Sequence, residues 1–207
     1  MKPVLLVIEG PDGVGKSTHV QALVQGLEVR LDMALNVVSW AHPRFIGDDP
    51  WQRALWYAQS RARFASDVRA GRYDDFVVVI DRWYFSTLVA SDVDEFRAHC
   101  PGEHAPALLD DLRFGMQWLC RAEMSALPPV RVILLDAPSE VIVKRLQDRG
   151  EKVLDGNVSA QRCAYVGVMQ ATRAAVVNTA DAPEVSRARI LEIARGIITT
   201  ASSISVP

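Results

Sequence analysis

The 207-residue sequence is poor in cysteine, nearly balanced in charge and without a long apolar segment. Its three cysteines, Cys100, Cys120 and Cys163, form no CxxC pair and no spacing with histidine that would indicate a disulfide framework or a zinc site. The formal net charge of -2 provides no general attraction to nucleic acid or to an anionic membrane. No apolar stretch approaches the roughly 20 residues that span a bilayer. These absences predict a cytoplasmic protein that binds neither nucleic acid nor membrane.

The composition is that of a globular enzyme. Apolar residues make up 49% of the chain and charged residues 23%, which is wrong for a disordered segment. A chain of this length can bury a sheet between helical layers without disulfides or a structural metal. We therefore expect one folded domain over residues 1–207.

Short apolar runs alternate with stretches of helical periodicity along the chain. The runs predict strands at 4–8, 37–40, 76–80, 130–135 and 175–178. The periodic stretches predict helices after residue 17, over 51–68, around 108–124, over 141–149 and from 183. Strands that alternate with helices predict an α/β fold, a P-loop NTPase-type three-layer sandwich with a five-stranded parallel sheet flanked by helices. Ligands of such a fold bind at the carboxyl ends of the strands.

A phosphate-binding motif follows the first predicted strand. The residues from Gly10 to Ser17 read GPDGVGKS, which satisfies G-x-x-x-x-G-K-[ST] between a strand and a helix, so a mere glycine-rich turn is the weaker interpretation. Backbone N–H groups of such a loop point at phosphate oxygens, a lysine reaches the β and γ phosphates, and a serine hydroxyl ligates Mg²⁺. We expect ATP to contact Gly10, Asp12, Gly13, Val14, Gly15, Lys16, Ser17 and Thr18.

A second polar motif, Asp81-Arg82-Trp83, follows the strand predicted at 76–80. Its carboxylate and guanidinium should emerge at the same sheet edge as the phosphate loop. Arg82 could bind phosphate bidentately, and Asp81 could orient water around Mg²⁺ or hold the arginine. A purely structural ion pair at the strand end is an equally good interpretation of these residues alone.

The two motifs together resemble those of the thymidylate kinases, a family of P-loop nucleoside-monophosphate kinases. The residues EGPDGVGKST, from Glu9 to Thr18, look like the family's phosphate loop, and the residues DRWYFS, from Asp81 to Ser86, look like its Asp-Arg motif. The resemblance implies that Asp12 approaches the acceptor sugar and that Arg82 grips the acceptor phosphate. It also places Trp83 and Ser86 at the acceptor site.

Two further segments resemble the acceptor site of that family. Arg44, in a loop after the second strand, is similar to an arginine that also grips the acceptor phosphate. Tyr57 and Arg61 lie four residues apart on one helix face and are similar to a ring that stacks on thymine and an arginine that bonds its edge. The residues alone favour a core aromatic beside a solvated arginine, and only the resemblance implies base recognition.

The segment 145–156 resembles the family's lid over ATP. Arg145, Arg149 and Lys152 are its candidate cations, Arg145 toward the donor nucleotide and Arg149 in catalysis. A closed lid would exclude water and set positive charge against the migrating phosphoryl group. A basic solvated helix face is an equally good interpretation of any one of these residues. The segment 178–183 is similar to the loop that borders adenine.

The resemblance implies transfer of the ATP γ-phosphoryl group to dTMP with Mg²⁺, by a homodimer, with Lys16, Arg82, Asp12 and Arg149 as catalytic residues. Three departures leave alternatives open: Trp83 replaces the usual Tyr or His, the lid lacks a second arginine cluster, and the segment 92–113 is longer than its family counterpart. The alternatives are a kinase for another or several deoxynucleoside monophosphates, a deoxynucleoside kinase, and a non-catalytic nucleotide switch.

Overall fold

The backbone alternates strands and helices along the chain. The computed structural model describes residues 1–28, 35–47, 50–83, 86, 115, 118, 122–151, 153, 155–172 and 174–204. In chain order the elements are β1 (Val4–Glu9), α1 (Lys16–Glu28), β2 (Asn36–Ala41), α2 (Pro50–Arg69), β3 (Phe76–Asp81), β4 (Val130–Asp136), α3 (Ser139–Asp148), α4 (Asp155–Thr172), β5 (Ala175–Asn178) and α5 (Pro183–Ile204).

The strands form one five-stranded sheet with the order β2-β3-β1-β4-β5, and every pairing is parallel. The first strand is central, so its neighbours β3 and β4 end on either side of it. Ile8 pairs with Asp81 of β3, and Glu9 pairs with Leu134 of β4. The α/β class and the five-stranded parallel sheet predicted from the sequence are confirmed.

Each face of the sheet carries its own hydrophobic core, because successive side chains of a strand point to opposite faces. Leu6 and Ile8 of β1 face a cluster that includes apolar residues of α1, α3 and α5. Leu5 and Val7 face the other cluster, where Phe64 and Val68 of α2 pack against the sheet. The helices therefore form a layer on each side of a sheet whose central strands are buried on both faces.

Helix α4 was not predicted from the sequence. Its residues include Gly156, Gly167 and the β-branched Val158, all of which have low helix propensity. The helix depends on packing instead, since Val158 is buried in one core and Tyr165 in the other. The helix predicted around 108–124 falls mostly outside the described residues. No helix in the described part of the chain is long and apolar enough to cross a membrane.

Substitution of Gly10 tests how closely β4 approaches the phosphate loop. A Cβ built there would lie 2.2 Å from the Leu135 carbonyl oxygen, at a φ of +144°. Gly10→Ala should lower the free energy of unfolding by about 2–4 kcal/mol. The control is Gly196→Ala in α5, where, apart from the backbone of the helix itself and the adjacent residues, no atom of the described residues lies within 4 Å of the added Cβ. It should raise the free energy of unfolding by about 0.5–1 kcal/mol. Urea unfolding measures both, and equal stability of the two variants would contradict this packing.

Candidate functional site

The phosphate loop leaves the carboxyl end of β1 and enters α1 at Lys16. Three glycines of the loop have positive φ, namely Gly10, Gly13 and Gly15, which lets the backbone curl where other residues would be strained. Val14 is completely buried in the core and so anchors the loop to the body of the domain. At the start of α1, Ser17 and Thr18 are exposed beyond this curl. The loop thus has the shape that phosphate binding requires.

The Lys16 ammonium lies inside the phosphate loop. Its Nζ donates hydrogen bonds to the carbonyl oxygens of Gly10 at 2.7 Å and Pro11 at 2.6 Å, and it lies 3.6 Å from Asp12 Oδ1. Burial, followed by the charge of Arg82, lowers the pKa of Lys16 to about 8, although nearby carboxylates oppose this shift. The ammonium is therefore held where phosphate oxygens would offer it stronger ligands than carbonyl groups.

Ser17, in the first turn of α1, meets Asp81, the last residue of β3. The Ser17 hydroxyl donates to Asp81 Oδ2 at 2.9 Å, and Asp81 Oδ1 is buried with no hydrogen-bond partner in the described part of the chain. A hydroxyl and a carboxylate are the oxygen ligands that Mg²⁺ prefers. The described residues contain no group of three or more metal-ligating side chains, so most ligands of a bound Mg²⁺ would be phosphate oxygens and water.

Arg82 follows β3 and reaches back across β1 to the phosphate loop. Its backbone adopts a left-handed φ of 69°, and its Nη2 donates to Asp12 Oδ1. Burial opposes ionisation of Asp12, but the charges of Arg82 and Lys16 hold its pKa at about 2. The same pairing raises the pKa of Arg82 against the effect of its own burial. Two cations, one at the start of α1 and one directly after β3, therefore converge on one carboxylate, although the sequence suggested no link between Asp12 and Arg82.

The Trp83 side chain does not face this site. It is completely buried and packs against Phe64 and Trp40, with ring centroids 5.5 Å and 5.6 Å away. The family resemblance implied a place for Trp83 at the acceptor site, whereas the structure buries its large apolar ring in the core. Ser86 donates its hydroxyl to Glu9 Oε2 at 2.6 Å and is likewise engaged within the protein.

A ring cluster beside α2 contains the residues predicted to read the acceptor base. The Tyr57 ring lies 4.9 Å from that of His42, a residue to which the sequence analysis gave no role. Burial, followed by the charges of Arg61 and Arg82, lowers the pKa of His42 to about 3. His42 is therefore neutral. Arg44 is exposed in the loop after β2, which the Trp56 indole tethers to α2 by donating to the Pro43 carbonyl at 3.2 Å.

Arg61 is fully buried and ion-paired, which differs from the solvated arginine that the residues alone favoured. Its Nε donates to Glu123 Oε2 at 3.0 Å, and only 10% of the Glu123 side chain is exposed. Burial raises the pKa of Glu123, and the charge of Arg61 opposes that rise. Glu123 lies 62 residues away along the chain, so no local pattern could have identified it.

The donor-side cations have different environments. Arg145 donates from Nη2 to the Thr179 carbonyl at 2.6 Å and so ties α3 to the loop predicted to border adenine. Arg149 forms an exposed ion pair with Glu151 at 3.0 Å. Lys152 lies outside the described residues. Farther along, Arg162 of α4 pairs with both carboxylate oxygens of Asp136, at the mouth of a cavity of about 360 Å³ that Pro11 and Tyr165 also line.

Comparisons with known proteins agree with this architecture. No protein-family profile and no curated protein sequence matches the chain. Among solved structures it is similar to thymidylate kinase from Candida albicans, which is described as having broad substrate specificity. The TM-score is 0.63 at 15% sequence identity, over 94% of this chain and 92% of that one. At this identity the similarity establishes that the chain shares the fold of that structure, and any activity has to be inferred from the site.

The buried ion pair predicts a large cost for removing one partner. Glu123→Ala would leave the Arg61 guanidinium buried without its carboxylate, so the free energy of unfolding should fall by about 3 kcal/mol. Glu192→Ala is the matched control, because Glu192 pairs with Arg189 at 2.7 Å on an exposed surface. It should change the same quantity by less than about 0.5 kcal/mol. Urea denaturation measures both, and similar small losses would contradict a buried pair.

The lowered pKa of Lys16 predicts a pH dependence of stability. The folded pKa is about 8 and the ordinary value is 10.5, so between these limits the unfolded chain binds more protons. Stability conferred by this group therefore rises with pH through that window. Relative to Lys16→Met, the wild-type free energy of unfolding should increase by on the order of 1–3 kcal/mol from pH 8 to 10.5. A constant difference between the two denaturation series would mean that the ammonium is not buried.

Proposed function

We propose that the protein is a nucleoside-monophosphate kinase that transfers the γ-phosphoryl group of ATP to dTMP, forming dTDP and ADP. The observation that carries the proposal is the convergence of Lys16 and Arg82 on Asp12, from the phosphate loop and the neighbouring strand. One cation would bind a donor phosphate and the other an acceptor phosphate. A nucleotide switch would need only the first.

The reaction would be a direct in-line transfer. An oxygen of the acceptor phosphate attacks the γ-phosphorus while the bond to the β,γ-bridging oxygen breaks, and ADP leaves. The attacking oxygen is already ionised at neutral pH, so no general base is required. Lys16 and the loop amides hold the donor, and Arg82 holds the acceptor phosphate. Mg²⁺ beside Ser17 and Asp81 would neutralise charge on the β and γ phosphates.

Asp12 would change partners when the acceptor binds. The acceptor phosphate is a stronger ligand for a guanidinium than a single carboxylate oxygen, because it offers several charged oxygens in bidentate geometry. Arg82 would then release Asp12, whose carboxylate becomes free to accept a hydrogen bond from a sugar hydroxyl. Arg44, exposed above α2, would contribute a second cation to the same phosphate.

Further residues would complete the same site. Tyr57 and Arg61 would contact the base, and the segment 145–156 would close over ATP with Arg145 at the donor and Arg149 near the transferred group. A homodimer follows from the family resemblance, and a reducing cytoplasm fits the free thiol of Cys163. One observation favours a second candidate, a kinase with broader base preference: Arg61 is held by Glu123 and is therefore less available to select thymine.

Acceptor-dependent ADP formation tests the proposal. The protein, ATP and Mg²⁺ are incubated with dTMP, dUMP, dCMP, dGMP, dAMP, ribonucleotides, thymidine or no acceptor. We expect selective turnover with dTMP. Lys16→Ala and Arg82→Ala should each lower kcat/KM for dTMP by about 100-fold or more, because Lys16 neutralises charge on the donor phosphates and Arg82 positions the acceptor phosphate. Arg189→Ala, at an exposed pair on α5, is the matched control and should retain activity.

Each other outcome has a defined meaning. Equal turnover of several monophosphates would replace dTMP specificity with the broader kinase. Turnover of thymidine alone would indicate a deoxynucleoside kinase, and ATP binding without acceptor-dependent turnover would indicate a switch. A folded, fully active Arg82→Ala variant would contradict the phosphate clamp, with folding checked by circular dichroism.

A further inference from the structure

A buried carboxylate, Glu9, ends β1 immediately before the phosphate loop. Its side chain is fully buried and receives four hydrogen bonds. Oε1 accepts from the backbone N–H of Trp83 at 2.7 Å and of Ser86 at 3.3 Å. Oε2 accepts from the Ser86 hydroxyl at 2.6 Å and the Tyr165 hydroxyl at 3.3 Å. Each of these groups can donate, and each carboxyl oxygen has two of them as partners, so both oxygens are satisfied.

These bonds hold the backbone on both sides of Arg82. The N–H of Arg82 donates to the Ile8 carbonyl at 3.1 Å, and the next N–H, that of Trp83, donates to Glu9. Between them, Arg82 has a φ of 69°, a conformation that is unfavourable for a residue with a Cβ. Such a conformation persists only where surrounding contacts impose it. Glu9 supplies the contact on the carboxyl side of Arg82.

The conformation of Arg82 decides where its guanidinium points. From the end of β3, an extended residue would continue the strand direction, whereas the left-handed backbone turns the chain so that the side chain reaches Asp12 in the phosphate loop. The core contributes as well, because the next residue, Trp83, is anchored by its buried ring. Without Glu9, neither the Trp83 ring nor the Ile8 carbonyl would accept the hydrogen bond from the Trp83 backbone N–H.

We infer that Glu9 is a positioning residue: its carboxylate fixes the backbone that aims Arg82 at the phosphate loop, and through Tyr165 it links that backbone to α4. The inference rests on the proposed function, in which Arg82 binds the acceptor phosphate. Tyr165 lies on the helix that follows the proposed lid, and its hydroxyl is also 3.0 Å from the Ser86 hydroxyl. Glu9 thus connects Arg82, which binds the acceptor phosphate in the proposed function, with α4, which follows the proposed lid over ATP.

Two substitutions of Glu9 distinguish a role in positioning Arg82 from a general role in stabilising the fold. Glu9→Met keeps an unbranched side chain but offers no oxygen to the Trp83 N–H. Glu9→Gln keeps one oxygen for the two backbone N–H groups, and its amide N–H groups can donate to the Ser86 and Tyr165 hydroxyls. We expect Glu9→Met to raise the acceptor KM or lower kcat by about tenfold or more, because the clamp is misplaced. Glu9→Gln should recover most of that loss.

The Kd for ATP, measured without acceptor by titration with a fluorescent ATP analogue, distinguishes a displaced clamp from a damaged loop. It should change by less than about threefold in Glu9→Met, since the loop amides and Lys16 remain in place. Unchanged acceptor kinetics in Glu9→Met would overturn the inference, as would an equal loss of ATP binding. So would a Glu9→Gln variant as impaired as Glu9→Met. Glu192→Met, at an exposed glutamate, controls for the introduced methionine.

Two further measurements keep the inference testable if Glu9→Met does not fold or the wild type proves inactive. Tyr165→Phe removes one donor to Glu9 and should raise the acceptor KM by about two- to fivefold with ATP binding retained; wild-type kinetics would overturn the link to α4. A crystal structure of Glu9→Gln or Glu9→Met reports the Arg82 backbone without any assay. A left-handed Arg82 still joined to Asp12 in Glu9→Met would overturn positioning, whereas absent turnover in the wild type would refute only the proposed function.

Discussion

The parallel pairing of β1 with β3 is the constraint on which the site depends. Register places Ile8 opposite Asp81, so the phosphate loop begins beside the residue that precedes Arg82. Two polar contacts at this edge follow from that adjacency: Ser17 reaches Asp81, and Arg82 reaches Asp12. Because both strands are buried on both faces, their ends are fixed by packing over the whole length of the sheet. The charges are consequently held in place before any ligand arrives.

This preorganisation carries an electrostatic cost that the site offsets internally. Lys16 and Arg82 are both cations, and each lowers the stability of the other's charge in a poorly solvated region. Asp12 lies between them and stays ionised to about pH 2. Phosphate groups would supply the same negative charge in greater amount. The arrangement therefore resembles a ligand site in which one carboxylate stands in for phosphate.

The sequence was sufficient for the strands, the phosphate loop and their order, because these depend on local patterns of β-branched residues and glycine. It did not predict the features that depend on tertiary packing. Helix α4 forms although several of its residues have low helix propensity. The Trp83 ring lies in the core although its neighbour Arg82 faces the site. The partners of Arg61 and Glu9 lie more than 60 residues away in the chain. Contacts of that kind follow from topology and have no signature in the neighbouring residues.

The central claim is that donor and acceptor phosphates bind side by side, between the phosphate loop and Arg82. Isothermal titration with a bisubstrate ligand, adenosine joined to thymidine through five phosphates, tests it most directly. The account predicts one site per chain, with the ligand displaced by ATP and by dTMP, and an Arg82→Ala variant that loses affinity for the bisubstrate but retains affinity for ATP. Displacement by ATP alone, with dTMP without effect, would contradict it.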